Sequence, residues 1–296
     1  MTAATAEAEP GSKLKVQPSE TSQRPPLVSG ILVFSGPAGR VGLAQRRVDQ
    51  MLDQTYPNVE LVIINASGVP ITNRTHGRVI EIPIPSGDYT IAELRNKAVK
   101  ACRGEYVVSW DDDDVSHPHR IALQMATLAG SKAEATVLTH QLRLDVSALN
   151  SPDRPAESRE LSSTLVLRER LAGESSTMIW KREDDRGNVR LFDKEQKIGE
   201  LDSFMERHFP PSKRVVYENS ENKPNGFPSF PALVLHVAFY HGINASTRDQ
   251  FLDEYAGDEY RNLYVPRLDE RSEEYIADMG ERMGLSIRKT VAETTA

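Results

Sequence analysis

The chain has 296 residues, which is long enough for one large α/β domain or two small ones, and its 39% hydrophobic and 27% charged residues are ordinary for a soluble enzyme. Its formal net charge of −7 argues against the broad basic surface on which nucleic-acid binders depend. No apolar run approaches the roughly 20 residues that span a bilayer, and the amino terminus lacks a signal-peptide pattern, so we expect a cytoplasmic location. The single cysteine, Cys102, excludes an internal disulfide.

The first 27 residues differ in composition from the rest of the chain. Residues 1–27 are rich in Ala, Glu, Pro, Ser and Thr and contain no aromatic side chain, so they cannot bury enough surface to offset the entropy of ordering. We expect a disordered tail there and a folded domain over residues 28–248.

The first ordered segments predict a βαβ unit. An apolar strand over 28–34 leads into a Gly- and Pro-containing turn that begins at Ser35, and an amphipathic helix and a second apolar strand over 59–64 follow. The helix carries Leu43, Val48, Met51 and Leu52 on one face. Two strands joined by a helix imply a parallel sheet.

A second unit of the same kind follows and ends in an acidic cluster. A strand over 79–84 precedes the capping box Thr90 to Glu93, which opens a helix with an apolar face. The β-branched and aromatic run 106–110 then predicts a buried strand that leads into Asp111–Asp114. Ser116 as N-cap and Pro118 in the first turn predict another helix directly afterwards.

The four consecutive aspartates are the strongest functional signal. Adjacent carboxylates repel one another, and a hard divalent cation that also binds phosphate oxygens would neutralise them. An aspartate run without context is usually a solvated loop. Here it lies between a strand and a helix, at the strand end where open α/β sheets bind ligands, and this favours a site.

The second half of the chain is less regular. Strands are predicted over 137–144, 175–180 and 233–240 and a helix over 196–209, whereas residues 149–163 read as a loop. We divide the folded domain into halves at 28–130 and 131–248. Residues 249–296 are expected to form a helical extension, with an amphipathic helix from about residue 270.

Several segments together carry a family resemblance. They are Gln54–Ile64, Leu94–Ala98, Ala101–Tyr106, Asp111–Asp114 with Pro118, and His241–Ser246. In this order they resemble the inverting family 2 glycosyltransferases, in which the aspartates match the DXD signature. The resemblance implies a single α/β domain of the GT-A fold with a mostly parallel, Rossmann-like central sheet. It also implies base-assisted direct transfer of a sugar from a nucleotide diphosphate sugar, a UDP-sugar by preference, to an acceptor hydroxyl with Mn²⁺ or Mg²⁺.

The resemblance also implies roles for individual residues. Metal ligands would be Asp111, Asp113, Asp114 and His241. Contacts to the nucleotide would come from Ser35, Asn65, Arg95, Asp111 and Asp112. Asp112 matches the variable position of the signature and is expected to face solvent. Asn65 stands where the family usually has an aspartate that recognises the base, which leaves the nucleotide open, and Arg95 could instead be an ordinary exposed charge.

The general base is where the sequence departs from the family pattern. The family commonly has a Gly-Glu-Asp-like element at a helix start, whereas this chain has Gly199-Glu200-Leu201-Asp202. Either Asp202 or Glu200 could accept the proton of the acceptor hydroxyl. A purely structural role, with these acids complementing the helix dipole, is the alternative.

Other functions and partners stay open at this point. Clustered aspartates would also suit a metal-dependent nuclease or phosphohydrolase, and the departures at residues 65 and 201 would suit a sugar-nucleotide-binding module without activity. The acceptor could be a saccharide, a small molecule or a modified nucleic-acid base. Trp110 and Trp180 could stack on sugar rings, although core positions are the expectation for both.

Overall fold

Among the residues that the structure describes, ten strands form one sheet, which four α-helices and a short 3-10 helix accompany. The computed structural model describes residues 24–36, 40–72, 77–145, 165–196, 199–217, 236–240 and 260–264. In chain order the elements are β1 (Val28–Phe34), α1 (Val41–Leu52), β2 (Val59–Asn65), β3 (Val79–Pro83), α2 (Ile91–Ala101), β4 (Tyr106–Ser109), β5 (Val115–Ser116), α3 (Arg120–Ala129), β6 (Ala135–Asp145), β7 (Leu165–Lys181), α4 (Glu200–His208), the 3-10 helix Pro211–Lys213, β8 (Arg214–Tyr217), β9 (His236–Tyr240) and β10 (Tyr260–Tyr264).

The amino-terminal half of the sheet is parallel, as the two βα units predict. Strands lie in the order β3-β2-β1-β4, and every neighbouring pair among them is parallel. Phe34 pairs with Asn65, and Ile31 pairs with Ser109. The carboxyl ends of β1, β2 and β4 therefore share one edge of the sheet, and the aspartate tetrad follows β4 at that edge.

The other half of the sheet contains antiparallel pairs. β7 pairs antiparallel with β4, β6 and β10, whereas β6 pairs parallel with β8 and β9. β7 begins at Leu165, ten residues before the predicted start, because its charged first half is held by backbone pairing to β6 and β10. β10 lies within the predicted helical extension 249–296, so that expectation is wrong for residues 260–264.

Helices cover both faces of the sheet and close two hydrophobic clusters. Side chains of β1 alternate between them, since Leu32 and Phe34 join the cluster beneath α1 and α3, and Ile31 joins the one beneath α2 and α4. Trp110 and Trp180 are fully buried, one in each cluster. Both tryptophans are therefore core residues, as expected, and neither offers a stacking surface.

The predicted start of α2 is confirmed, whereas the predicted cap of α3 is wrong. Thr90 and Glu93 form the predicted capping box of α2. α3 begins at Arg120 without a side-chain cap, and Ser116 lies in β5. Its hydroxyl accepts a hydrogen bond from Arg120 Nη1 over 2.8 Å, so it binds a side chain of the helix instead of its backbone.

Some predicted segments lie outside the described residues. They are most of the tail 1–27, the loop 149–163 and the helix from residue 270. Within the described ranges, no helix is long and apolar enough to cross a membrane.

Glu60 is a buried acid of β2 that forms hydrogen bonds with Ser29 in β1 and with Arg103 in the segment before β4. Its carboxylate accepts hydrogen bonds from Ser29 Oγ over 2.7 Å and from Arg103 N over 2.8 Å and Nε over 2.7 Å. Burial alone would raise the pKa of Glu60, but these bonds bring it below its ordinary value. Because the folded pKa is depressed, the stabilisation is present above the unfolded pKa of about 4.3 and is lost as pH falls through the folded value.

Glu60→Gln should therefore lower the free energy of unfolding by about 1–3 kcal/mol at pH 7, because the buried Ser29 hydroxyl and the N–H groups of Arg103 lose a charged acceptor. Urea unfolding at pH 7 and below pH 4 measures this, and the gap between variant and wild type should shrink in acid. Glu105→Gln, at an exposed neighbouring position, is the control. A gap that is constant with pH would contradict the assignment.

Candidate active site

The tetrad contacts two arginines and one histidine from three other parts of the chain. Arg95 Nη2 donates to Asp111 Oδ1 over 2.7 Å, and Arg40 Nη2 donates to Asp112 Oδ1 over 2.8 Å and to Asp113 Oδ2 over 3.0 Å. Asp114 Oδ2 lies 3.1 Å from Nε2 of His236 in β9. The aspartates thus form an ordered cluster, and the solvated-loop alternative does not describe them.

Asp112 does not face solvent as predicted. Only 13% of its side chain is exposed, because Arg40 at the start of α1 reaches across to it. Burial, followed by the charge of Asp113, raises the pKa of Asp112 to about 7. Burial and the charges of Asp113 and Asp111 likewise raise the pKa of Asp114, against the opposing effect of Arg47 and Arg120.

Two buried arginines, Arg47 and Arg120, contact the tetrad or the residues beside it. Arg47 Nε donates to the backbone oxygen of Asp111 over 2.7 Å, and its guanidinium lies 4.1 Å from the ring centroid of Trp110. Arg120 lies 5.5 Å from the same ring, and its Nη1 is 3.3 Å from His236 Nδ1. Burial and these nearby arginines lower the pKa of His236, so its imidazole is neutral.

The sequence interpretation missed this supporting layer, although a signal was present. Arg47 lies four residues from both Leu43 and Met51, in the apolar row of α1. In α3, Arg120, Gln124 and Leu128 follow one another at the same four-residue spacing. A polar side chain within an apolar row indicates a buried polar network.

Arg95 connects the tetrad to α4. It is buried on α2, and its two terminal nitrogens bind different acids, Asp111 and Glu200. Burial would lower the pKa of Arg95, but the two carboxylates raise it above its ordinary value. The exposed-charge alternative for Arg95 is therefore wrong, and its contact with a nucleotide stays a prediction.

The two candidate bases lie in the first turn of α4. Gly199, at its N-cap, adopts a left-handed conformation with φ 68° and ψ 26°, which a residue with a β-carbon adopts only with strain. Glu200 and Asp202 follow directly, while Leu201 packs against the core cluster beneath α2. Glu200 is bound by Arg95, and Asp202 is partly exposed.

Asn65 uses its whole amide within the protein. Nδ2 donates to Val69 O over 2.7 Å and to Glu81 Oε1 over 2.6 Å, and Oδ1 accepts from the backbone and hydroxyl of Ser67. An amide has two donor hydrogens and two acceptor lone pairs, so none is left for a base. The predicted nucleotide contact would require these bonds to break. Ser35 is exposed at the same sheet edge, and its contact stays a prediction.

Asn65→Asp should destabilise the protein by about 1–3 kcal/mol, because a carboxylate would face Glu81 and the Val69 carbonyl without a proton to donate. Amide hydrogen exchange should accelerate at Ile71 and Thr72, whose N–H groups donate to Glu81 over 3.0 Å. Gln45→Glu adds the same charge at an exposed position of α1 and is the control. Wild-type stability in Asn65→Asp would show that the amide is not needed.

A comparison with known protein families finds a match that includes the aspartate cluster. Residues 42–185, which contain the tetrad and Arg95, match the profile of the family described as Glycosyl transferase family 2. Just under half of the chain is thus similar to this glycosyltransferase family. No curated protein sequence matches it significantly.

Several solved structures are similar to this chain. TarS 1–349 from S. aureus shares 15% identity at a TM-score of 0.50 over 72% of this chain and 60% of that one. The same protein in complex with UDP-GlcNAc shares 14% at 0.49, over 72% and 58%. Mannosyltransferase PcManGT from Pyrobaculum calidifontis, in complex with GDP-Man and Mn²⁺, shares 17% at 0.45, over 73% and 57%. The chain thus spans less than two thirds of these proteins, and the likeness concerns the fold alone.

The four predicted metal ligands differ in exposure and surroundings. Asp111 and Asp113 keep 23% and 17% of their side chains exposed, whereas Asp114 is buried against His236. His241 lies outside the described residues. Within the described part of the chain, no three His, Cys, Asp or Glu side chains are grouped to hold a metal. The carboxylates of Asp111 and Asp113 fit a hard divalent ion in ligand type and exposure.

Proposed function

We propose that the chain is a metal-dependent inverting glycosyltransferase that moves a sugar from a nucleotide diphosphate sugar to an acceptor hydroxyl. The observation that carries the proposal is the bridge from Asp111 through Arg95 to Glu200. Arg95 binds Asp111, which would help to hold the donor, and also Glu200, which lies in the same helical turn as the candidate base Asp202. A metal nuclease needs no such second group of acids in the first turn of a helix.

On the donor side, Asp111 and Asp113 would hold Mn²⁺ or Mg²⁺ together with the diphosphate. When bound, the ion supplies Lewis-acid stabilisation of the charge that develops on the leaving nucleotide diphosphate. Arg47 fixes the backbone of Asp111, and Arg95 fixes its side chain. These contacts hold the carboxylates in place before a ligand binds, which lowers the cost of ordering the site.

On the acceptor side, we assign the general base to Asp202. One oxygen of Glu200 already accepts a hydrogen bond from Arg95, so Glu200 is better suited to orient the first turn of α4. Asp202 would take the proton from the acceptor hydroxyl as its oxygen attacks the anomeric carbon. The bond between that carbon and the diphosphate oxygen breaks, and the anomeric configuration inverts.

Donor binding and the choice of base can be tested together. Thermal unfolding with UDP-GlcNAc, other UDP-sugars and GDP-mannose, each with and without Mn²⁺, identifies the donor. Donor hydrolysis, with water as acceptor, then reports turnover. We expect Asp202→Asn to bind the donor as the wild type does and to lose about 10²- to 10⁴-fold in turnover. Full turnover in Asp202→Asn with loss in Glu200→Gln would move the base to Glu200. Asp185→Asn, in an exposed turn, is the control.

A further inference from the structure

A single nitrogen of Arg40 donates hydrogen bonds to two neighbouring carboxylates of the tetrad. Nη2 lies 2.8 Å from Asp112 Oδ1 and 3.0 Å from Asp113 Oδ2, and all three side chains are mostly buried. A guanidinium keeps its charge at any pH at which the protein folds. Arg40 therefore holds a positive charge next to Asp113, which is one of the two partly exposed carboxylates suited to a metal.

The pairing of Arg40 is incomplete. Its Nε is buried, and no described residue accepts a hydrogen bond from it. A guanidinium has five N–H donors in a planar fork that matches carboxylate and phosphate oxygens. A buried donor of this kind, beside acids proposed to bind a metal and diphosphate, suits an anionic oxygen brought by the ligand.

We propose that Arg40 is a tethered counterion of the tetrad. In the free protein its single positive charge offsets part of the negative charge of the Asp112 and Asp113 carboxylates, and it exchanges its contact with Asp113 for a phosphate oxygen of the donor when the metal binds. The inference rests on the proposed use of a metal and a nucleotide diphosphate. No covalent bond changes, because a divalent charge replaces the guanidinium at the carboxylate and the guanidinium pairs with the incoming diphosphate.

The exchange has two opposite consequences for binding. Arg40 repels a metal that arrives alone, since like charges a few ångströms apart interact strongly in a partly buried site. It attracts the diphosphate once the metal is bound. Removal of the charge should therefore tighten binding of the metal alone and weaken binding of the nucleotide in the presence of metal.

The test measures Mn²⁺ binding to the full chain without nucleotide, by the electron paramagnetic resonance signal of free Mn²⁺, and then UDP or GDP binding at saturating Mn²⁺. We expect Arg40→Gln to bind Mn²⁺ about tenfold more tightly and the better-bound nucleotide about tenfold more weakly than the wild type. Arg40→Lys, which keeps the charge, should bind Mn²⁺ as the wild type does. Arg186→Gln removes a charge from an exposed turn and should change neither affinity.

Unchanged or weaker Mn²⁺ binding in Arg40→Gln would overturn the proposal, and so would the absence of Mn²⁺ binding in every variant. Unchanged nucleotide binding in Arg40→Gln would overturn the transfer of Arg40 to the diphosphate. These results are separable from failure of the proposed function. Sugar transfer by the wild type can persist if Arg40 has no such role, and the change in Mn²⁺ affinity can be seen even if no sugar is transferred.

Discussion

Arg95→Ala should reduce turnover of the nucleotide sugar by about 10²-fold or more, because it disconnects the tetrad from α4 and allows both acids to move. It should also destabilise the protein, since Asp111 and Glu200 lose their common partner in a mostly buried site. Steady-state hydrolysis of the donor measures the first effect and urea unfolding the second.

Arg95→Lys separates the geometric effect from loss of folding. Lysine keeps the charge but cannot hold two acids in the fork geometry of a guanidinium, so we expect a folded protein with reduced turnover. Lys97→Ala, on the same helix, should keep both turnover and stability, because Lys97 contacts only the ring of Tyr89 among the described interactions. Wild-type turnover in Arg95→Lys would show that the two-acid bridge has no catalytic importance.

Asp113→Asn should abolish the dependence of nucleotide binding on metal while leaving the fold intact. Asp113 keeps 17% of its side chain exposed and pairs with Arg40, and its carboxylate is one of two that fit a divalent ion. We expect nucleotide affinity in Mn²⁺ to fall by at least about tenfold. Isothermal titration with UDP or GDP, with and without Mn²⁺, measures this.

Asp185→Asn is the matched control for Asp113→Asn, since it removes the same charge from an exposed turn. Circular dichroism and thermal unfolding should show a native fold in both variants. If Asp113→Asn retained metal-dependent binding at wild-type affinity, Asp113 would not be a metal ligand.

Local patterns were sufficient for the parallel half of the sheet. The apolar runs that became β1, β2 and β4, and the capping box of α2, each depend on neighbours within a few residues. The early start of β7 and the strand β10 depend on backbone pairing between residues about 90 apart, such as Glu169 with Arg261. No local pattern reveals such pairing, because the charged side chains there do not alternate with apolar ones.

The candidate site, like the sheet, was predictable from the sequence only in part. The position of the tetrad at the carboxyl end of a strand follows from the strand before it, and the acids near Gly199 follow from the family resemblance. The arginine partners do not follow, because Arg40 reaches Asp112 across 72 residues and Arg95 reaches Glu200 across 105. The solvent-facing prediction for Asp112 follows from the variable position of the signature, and the contact with Arg40 makes it wrong. The base contact predicted for Asn65 follows from the family position, and the sequence does not reveal the bond of Asn65 to Glu81, because that bond joins two strands.

Identification of the bond that is cleaved tests the central claim most directly. The purified chain is incubated with Mn²⁺ and the nucleotide sugar that stabilises it most, and the products are identified by ³¹P nuclear magnetic resonance. A glycosyltransferase breaks the bond between the anomeric carbon and oxygen, so we expect the nucleoside diphosphate as the phosphorus-containing product, with loss of the reaction in Asp202→Asn. Nucleoside monophosphate and sugar phosphate would instead show cleavage within the diphosphate and would contradict the assignment as a glycosyltransferase.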